Sequence, residues 1–268
     1  MRHTTIIGLA ALGAFCGLAA PAFPQHLDVT VFAGRAFPVY DERLVLRAPS
    51  VPSLPGVDVT ASGTPELRTD GGPVVGAAIA IEAGIIAFEA RLDATEIGFD
   101  VTGARYDLQG TRAPFQGVRG GVAIGDGRLD ADRLNLLSLN VRLRTPGPVG
   151  LQVSGGATYL SDITVTGSAP LVVDLDGVPL LGVQPRVRLL AVPGQSEHRW
   201  GVNGGAGLRL GGRVALVAEA RVFYFREYEL RFGVDGAPSF VNDLLATIDP
   251  IRFEPVIVNA QAGLSFRF

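Results

Sequence analysis

The sequence predicts an all-β protein, an eight-stranded antiparallel up-and-down transmembrane β-barrel, and three observations predict it. Apolar and polar residues alternate strictly in eight segments of about ten to fourteen residues. The links between these segments run long, short, long, short, long, short, long, as in a barrel with tight turns at one end and extended loops at the other. Residues 1–22 read as an export signal that precedes the first segment.

The segments can be taken in order, since successive side chains of a strand point to opposite faces. "HLDVTVFAGR" (26–35) places Leu27, Val29, Val31 and Ala33 on one face. "PVVGAAIAIEA" (73–83) continues with Val75, Ala77, Ile79 and Ile81, and "IIAFEARLDATEI" (85–97) sets Ile86, Phe88, Ala90 and Leu92 against Glu89, Arg91 and Asp93. "DRLNLLSLNVRLR" (132–144) presents Leu137, Leu139, Val141 and Leu143 opposite Ser138, Asn140 and Arg142. After the breaker "TPGPV", "VGLQVSGGATYLS" (149–161) alternates Val149, Leu151, Val153, Ala157 and Tyr159 with Gln152, Ser154 and Thr158. "HRWGVNGGAGLRLGG" (198–212) and "VALVAEARVFYFRE" (214–227) flank a turn at Gly211-Gly212. The closing segment, "VIVNAQAGLSFRF" (256–268), sets Val256, Val258, Ala260, Ala262 and Leu264 against Asn259, Gln261, Ser265 and Arg267.

Short links at 83–84, 145–148 and 211–213 alternate with long ones at about 36–72, 98–131, 162–197 and 227–255. A chain that crosses lipid without apolar helices must satisfy every backbone group between strands, and a closed barrel does so without leaving an edge. A secreted β-sandwich also alternates, but its strands are shorter and its loops do not alternate in length. The apolar stretch 171–192 could form a further hairpin turning at Asp176-Gly177, so ten strands is the alternative count. Tyr40, Tyr106, Tyr159, Trp200, Phe223, Tyr224, Phe225 and Tyr228 fall at or just beyond strand ends, where an interfacial aromatic girdle would sit.

Composition narrows the function classes. All 23 basic residues are arginine and the formal net charge is −3, which gives no electrostatic footprint for nucleic acid. Arg2 and His3 begin the leader, "IIGLAALGAFCGLAA" is its apolar centre, and Ala20-Pro21-Ala22 fits a cleavage site. The mature domain is then 23–268, and Cys16 leaves with the signal. Phe15 before that cysteine is too large for a lipoprotein signal. Export without disulfides means that stability comes from something other than covalent staples.

On "AGLSFRF" and on "GGAGLRLGGRVALVAEARVFYF" (204–225), the mature chain resembles the small outer-membrane β-barrel proteins of Gram-negative bacteria, the OmpA/OmpX/OmpW-like barrels. The resemblance implies a barrel with no periplasmic domain, located in the cell outer membrane. It also implies that Leu264, Phe266 and Phe268 form the assembly signal read by the barrel-assembly machinery. The implied partners are that machinery, periplasmic chaperones during biogenesis, outer-membrane lipid and lipopolysaccharide, with an unidentified extracellular ligand at the loops. No cofactor and no metal are expected.

The inward face collects Asp28, Glu82, Glu89, Arg91, Arg142, Arg209, Glu219, Arg221 and Arg267. Eight strands enclose a space that side chains fill, so these near-balanced charges are expected to pair as a lumen plug. The dyads Glu89-Ala90-Arg91 and Glu219-Ala220-Arg221 repeat on two strands. "GGAGLRLGG" lacks the strand-then-helix context of a dinucleotide loop. "DLDG" (174–177) lacks the rest of a calcium-loop ligand series and reads as a hairpin turn, while "LDADR" (129–133) reads as a polar loop end. His198 has Trp200 two residues on, where the deacylase-like barrels place a serine, so no catalytic residue is assigned. The leading expectation is a non-enzymatic structural or surface-recognition protein. A narrow pore or transporter for small solutes or hydrophobic compounds is the second reading, and a lipid A-modifying enzyme the third.

Overall fold

The computed structural model describes residues 25–39, 41–43, 55–62, 66–161, 165–168, 170–175, 178–183, 186–191, 199–234, 239, 251–253 and 256–268. The predicted signal at 1–22, Tyr40, Asp176-Gly177 and His198 lie outside them. The strands are β1 (Gln25–Val39), β2 (Asp41–Arg43), β3 (Val57–Ser62), β4 (Glu66–Ala83), β5 (Ile86–Thr102), β6 (Ala104–Gly110), β7 (Arg119–Ile124), β8 (Gly127–Arg144) and β9 (Val149–Leu160). They continue as β10 (Val165–Ser168), β11 (Leu171–Leu175), β12 (Val178–Val183), β13 (Arg186–Ala191), β14 (Trp200–Gly211), β15 (Val214–Phe225), β16 (Tyr228–Val234), β17 (Ile251–Phe253) and β18 (Val256–Arg267).

Eight of these strands close into one antiparallel ring, β1-β4-β5-β8-β9-β14-β15-β18 and back to β1. The closing seam runs from Asp28↔Arg267 to Val39↔Val256. All eight predicted segments fall on these eight strands, and each keeps the predicted facing. Short turns join β4 to β5, β8 to β9 and β14 to β15. Gly84 (φ 68°), Gly147 (φ 110°) and Gly211 (φ 130°) supply a positive φ at each of the three. Pro73 sits in the register shift between β4 and β5, where Gly71 pairs with Ile97 and Val74 with Thr95. A residue without an N–H is tolerated at such a bulge because no ladder bond is lost.

The barrel is not level at its other end. β4, β5 and β8 span 18, 17 and 18 residues, whereas β9, β14, β15 and β18 each span 12. The taller strands carry on past the rim. β10 takes up the edge of β8 that the shorter β9 leaves open, and β13, β16 and β17 follow outward in turn. β2 pairs with β4, and a second sheet, ordered β12-β11-β7-β6-β3, forms from the remaining segments.

Three expectations are corrected here. The predicted long loops carry much of this added sheet, because their own alternation lets backbone groups pair above the ring. "LDADR" lies inside β8 with Leu129 fully buried, not at a loop end. Within 171–192 the predicted hairpin does form, as β11 paired with β12 in the second sheet, while β13 joins the first sheet above the rim, and the barrel stays at eight strands.

Candidate functional site

The site follows from which face each strand turns inward. On all eight ring strands the outward row is apolar and open to the surroundings, with Leu139 60% exposed, Leu151 61% and Leu216 61%. The inward row is polar and closed, with Asp28, Glu82, Glu89, Arg91, Arg142, Arg209, Glu219 and Arg221 all buried and Arg267 partly so. This is the reverse of a water-soluble protein.

The buried charges pair across the lumen. β5 and β15 stand four steps apart in the ring of eight, directly opposite one another. The two repeated dyads lie on these strands and exchange partners. Arg91 Nη1 donates to Glu219 Oε1 at 2.9 Å, and Arg221 Nη2 donates to Glu89 Oε1 at 3.3 Å. Arg91 is further fixed by Asp93, at 2.7 and 3.0 Å, by Gln261, and by the Phe32 ring 4.0 Å from its guanidinium carbon. Arg221 also donates to Glu219 at 2.6 Å, to Ser154 at 2.7 Å and to Asn203. Charge-assisted bonds of this kind are the strong ones.

Nearer the short turns, Arg142 reaches Asp28 (3.1 Å), Glu82 (3.0 Å) and Glu89 (3.2 Å). Arg209 donates to Asp28 at 3.0 Å and to Ser265, which in turn bonds Asp28. Arg144 and Arg267 also bind Glu82. All nine predicted lumen charges therefore lie in one network.

Sequence reasoning left Asp93, Asn140, Arg144, Gln152, Asn203 and Gln261 out of the site, although each has the same inward phase and bonds to it. It also missed an apolar layer. Leu134, Leu136, Leu160, Phe223, Phe225 and Ile257 all turn inward with at most 2% exposure, toward the end away from the short turns. The signal was present: in "VFYF" (222–225) both faces are apolar and the alternation breaks. Phe223 and Phe225 are thus interior, and Tyr106 is buried in β6 of the second sheet. These three leave the predicted girdle. Tyr159 and Trp200 remain outward and pack at 5.2 Å between ring centroids, and Tyr224 is exposed beside them on the outer wall. Asn259, fully buried between the two layers, has no partner for either carboxamide atom.

A second polar cluster lies on the sheet outside the ring. Arg105 lies across β7 over Gly121, binds Asp174 at 2.7 and 3.0 Å and Asp107 at 2.7 Å, and borders an open cavity of about 580 Å³ with Gln109 and Arg119. A Cβ on Gly121 would come within 2.4 Å of the Arg105 Nη2 atom, so glycine makes room for the guanidinium. Asp174, first read as part of a turn, is the main partner that holds Arg105 protonated beyond any ordinary pH.

Burial pushes the Tyr106 hydroxyl up to about 12. The unfolded chain then ionises first. The sheet keeps its full stability below about pH 10 and loses support as pH rises toward 12. Absorbance titration at 295 nm should show a late-ionising component that is missing in Tyr106→Phe; an unchanged curve in that variant contradicts the prediction.

Fold and site together define a class: a closed eight-stranded antiparallel barrel with buried ion pairs inside and an apolar wall outside. No family model matches the chain, and no curated protein matches it. Among solved structures, the translocator domain of the autotransporter NalP from Neisseria meningitidis aligns over 99% of this chain and 96% of that one, at 12% identity and a TM-score of 0.22. So low a score carries no weight, and the ring of strand pairings alone defines the class.

Proposed function

We propose that the chain is an integral outer-membrane β-barrel protein with a structural or surface-recognition role and no enzymatic one, exported with its signal peptide removed. One observation carries this reading, the inversion of polarity between wall and lumen. A barrel wall of this composition is insoluble in water and suited to lipid, where lipid-facing and lumen-facing residues alternate. The lumen is a plug, because ion pairs between opposite strands cross it and an apolar layer follows them. The strands that rise past the rim make a rigid platform, and loops on rigid scaffolds carry recognition. Outer-membrane lipid and lipopolysaccharide surround the wall, and an extracellular ligand engages the platform.

The test is fractionation with outer membranes, together with a heat-dependent change of mobility on a detergent gel. Failure of either sinks the reading. Purified protein in planar bilayers should give no conductance steps. Steps that change in Glu89→Gln or Arg221→Gln would favour the transport reading instead.

Leu264, Phe266 and Phe268 lie exposed on the outer face of the last strand, and we assign them the assembly signal on the resemblance. Deleting Phe268 should reduce the assembled, heat-modifiable fraction far more than loss of one exposed residue would, since surface changes usually stay within about 0.5 kcal/mol. Assembly at the wild-type level would remove that assignment.

A further inference from the structure

We infer that the short-turn end of the lumen is a binding site for a phosphate-type oxyanion, held chiefly by Arg144 and Arg267. The observation is a carboxylate shared by too many cations. Glu82 accepts from three guanidiniums, Arg142 (3.0 Å), Arg144 (3.0 Å) and Arg267. Asp28 beside it accepts from Arg142 and Arg209. Among the described lumen side chains, four guanidiniums at this end therefore face two carboxylates. Glu89 gives Arg142 one further contact, but it is shared with Arg221. Deeper in the lumen the balance is reversed, with Glu89, Asp93 and Glu219 against Arg91 and Arg221. The positive excess is thus concentrated at the short-turn end.

Buried charge is costly unless compensated, and donor capacity at this end is left over. The Nε atoms of Arg142 and Arg267 are buried without a partner. Arg144 uses Nη1 alone and Arg267 uses Nη2 alone in the side-chain bonds to Glu82. Both side chains are reachable from outside, at 12% and 22% exposure, while Glu82 is at 4%. Planar guanidiniums with spare N–H groups at a solvent-accessible mouth match a tetrahedral oxyanion, which each can bind through two parallel bonds. Beside this mouth the N–H of Phe268 donates to Leu27 O at 2.8 Å and the Leu27 N–H donates to Phe268 O at 3.3 Å. A free phosphate ion and the phosphate of a lipid headgroup share this chemistry.

The experiment is titration of inorganic phosphate into the folded full-length chain in non-ionic detergent and gluconate buffer, followed by calorimetry and by broadening of the phosphorus-31 signal. Saturable binding is expected in wild type. It should be about tenfold weaker in Arg144→Gln and in Arg267→Gln, the loss of a charge-assisted bond in each, and unchanged in Arg226→Gln at the opposite end. An unheated gel shows which variants are folded, and Arg144→Lys, which keeps the charge and loses the fork, serves if a glutamine variant does not fold. Dihexanoyl phosphatidic acid binding that inorganic phosphate displaces assigns the site to a lipid headgroup, and binding of inorganic phosphate alone assigns it to a free ion. If wild type binds neither saturably, or if the folded variants keep full affinity, the inference is overturned.

Discussion

Arg91→Ala is expected to cost the barrel about 3–5 kcal/mol, the penalty for leaving buried charges without their partner. The side chain is fully buried, and its removal strands Asp93 on the same strand and weakens the hold on Glu219 across the lumen. It also takes a cation from the face of Phe32. A urea titration in detergent, read by fluorescence of the one tryptophan, Trp200, should show the folded baseline shortened or lost. Arg128→Ala is the comparison. Arg128 contacts three carboxylates, Asp70, Asp100 and Asp130, against two for Arg91, but all four side chains are 43–68% exposed. Exposed pairs contribute about 0–1 kcal/mol, so that variant should unfold close to wild type. If the two variants lose equal stability, the lumen network is not what holds opposite strands together.

The second large effect separates a barrel in lipid from a barrel in water. Leu139→Arg, at mid-height on the outer wall and 60% exposed, should destabilise the protein reconstituted in a bilayer by roughly 2–4 kcal/mol. The same substitution at Thr60, exposed on the second sheet, should change stability by no more than about 0.5 kcal/mol. Equilibrium folding into thin liposomes measures both. If arginine is tolerated equally at the two positions, the outer wall does not face hydrocarbon, and the proposed location is wrong. The outcome does not depend on the oxyanion site, which lies inside the lumen.

Several features were legible in the sequence because a strand's side chains have a period of two. Asp28, Glu89, Arg91, Arg209 and Arg221 could be placed on one face from spacing alone, and turn residues such as Gly84 and Gly147 marked where the chain reverses. Partnership was not legible. Nothing in "FEARL" or "AEARV" says that Arg91 meets Glu219 and Arg221 meets Glu89. Those contacts depend on β5 and β15 standing opposite each other, which depends on strand number and order. The apolar layer around Phe223 and Leu136 was hidden for a related reason. The break of alternation in "VFYF" marks apolar residues on the polar face of one strand, but they become a layer only when neighbouring strands place others beside them.

The second sheet shows the same limit. The segments at 98–131 and 171–192 had alternation of their own, yet whether they enlarge the ring or leave it is decided by competition for edges. β9, at 12 residues, stops short of the top of β8, and that open edge accepts β10. β11 pairs elsewhere, with β7 on one side and β12 on the other.

The choice between eight and ten ring strands stayed open, but by itself the sequence determined the period, the facing of the eight ring segments and the two chemistries, apolar outside and charged within. Those are local properties, set by the pleat and by turn residues a few positions apart. Only the tertiary structure decided which charges meet, where the lumen is sealed, and that Glu82 is shared by three arginines at one mouth. Each of those depends on residues far apart in the chain, brought together when the ring closes and its strands take their register.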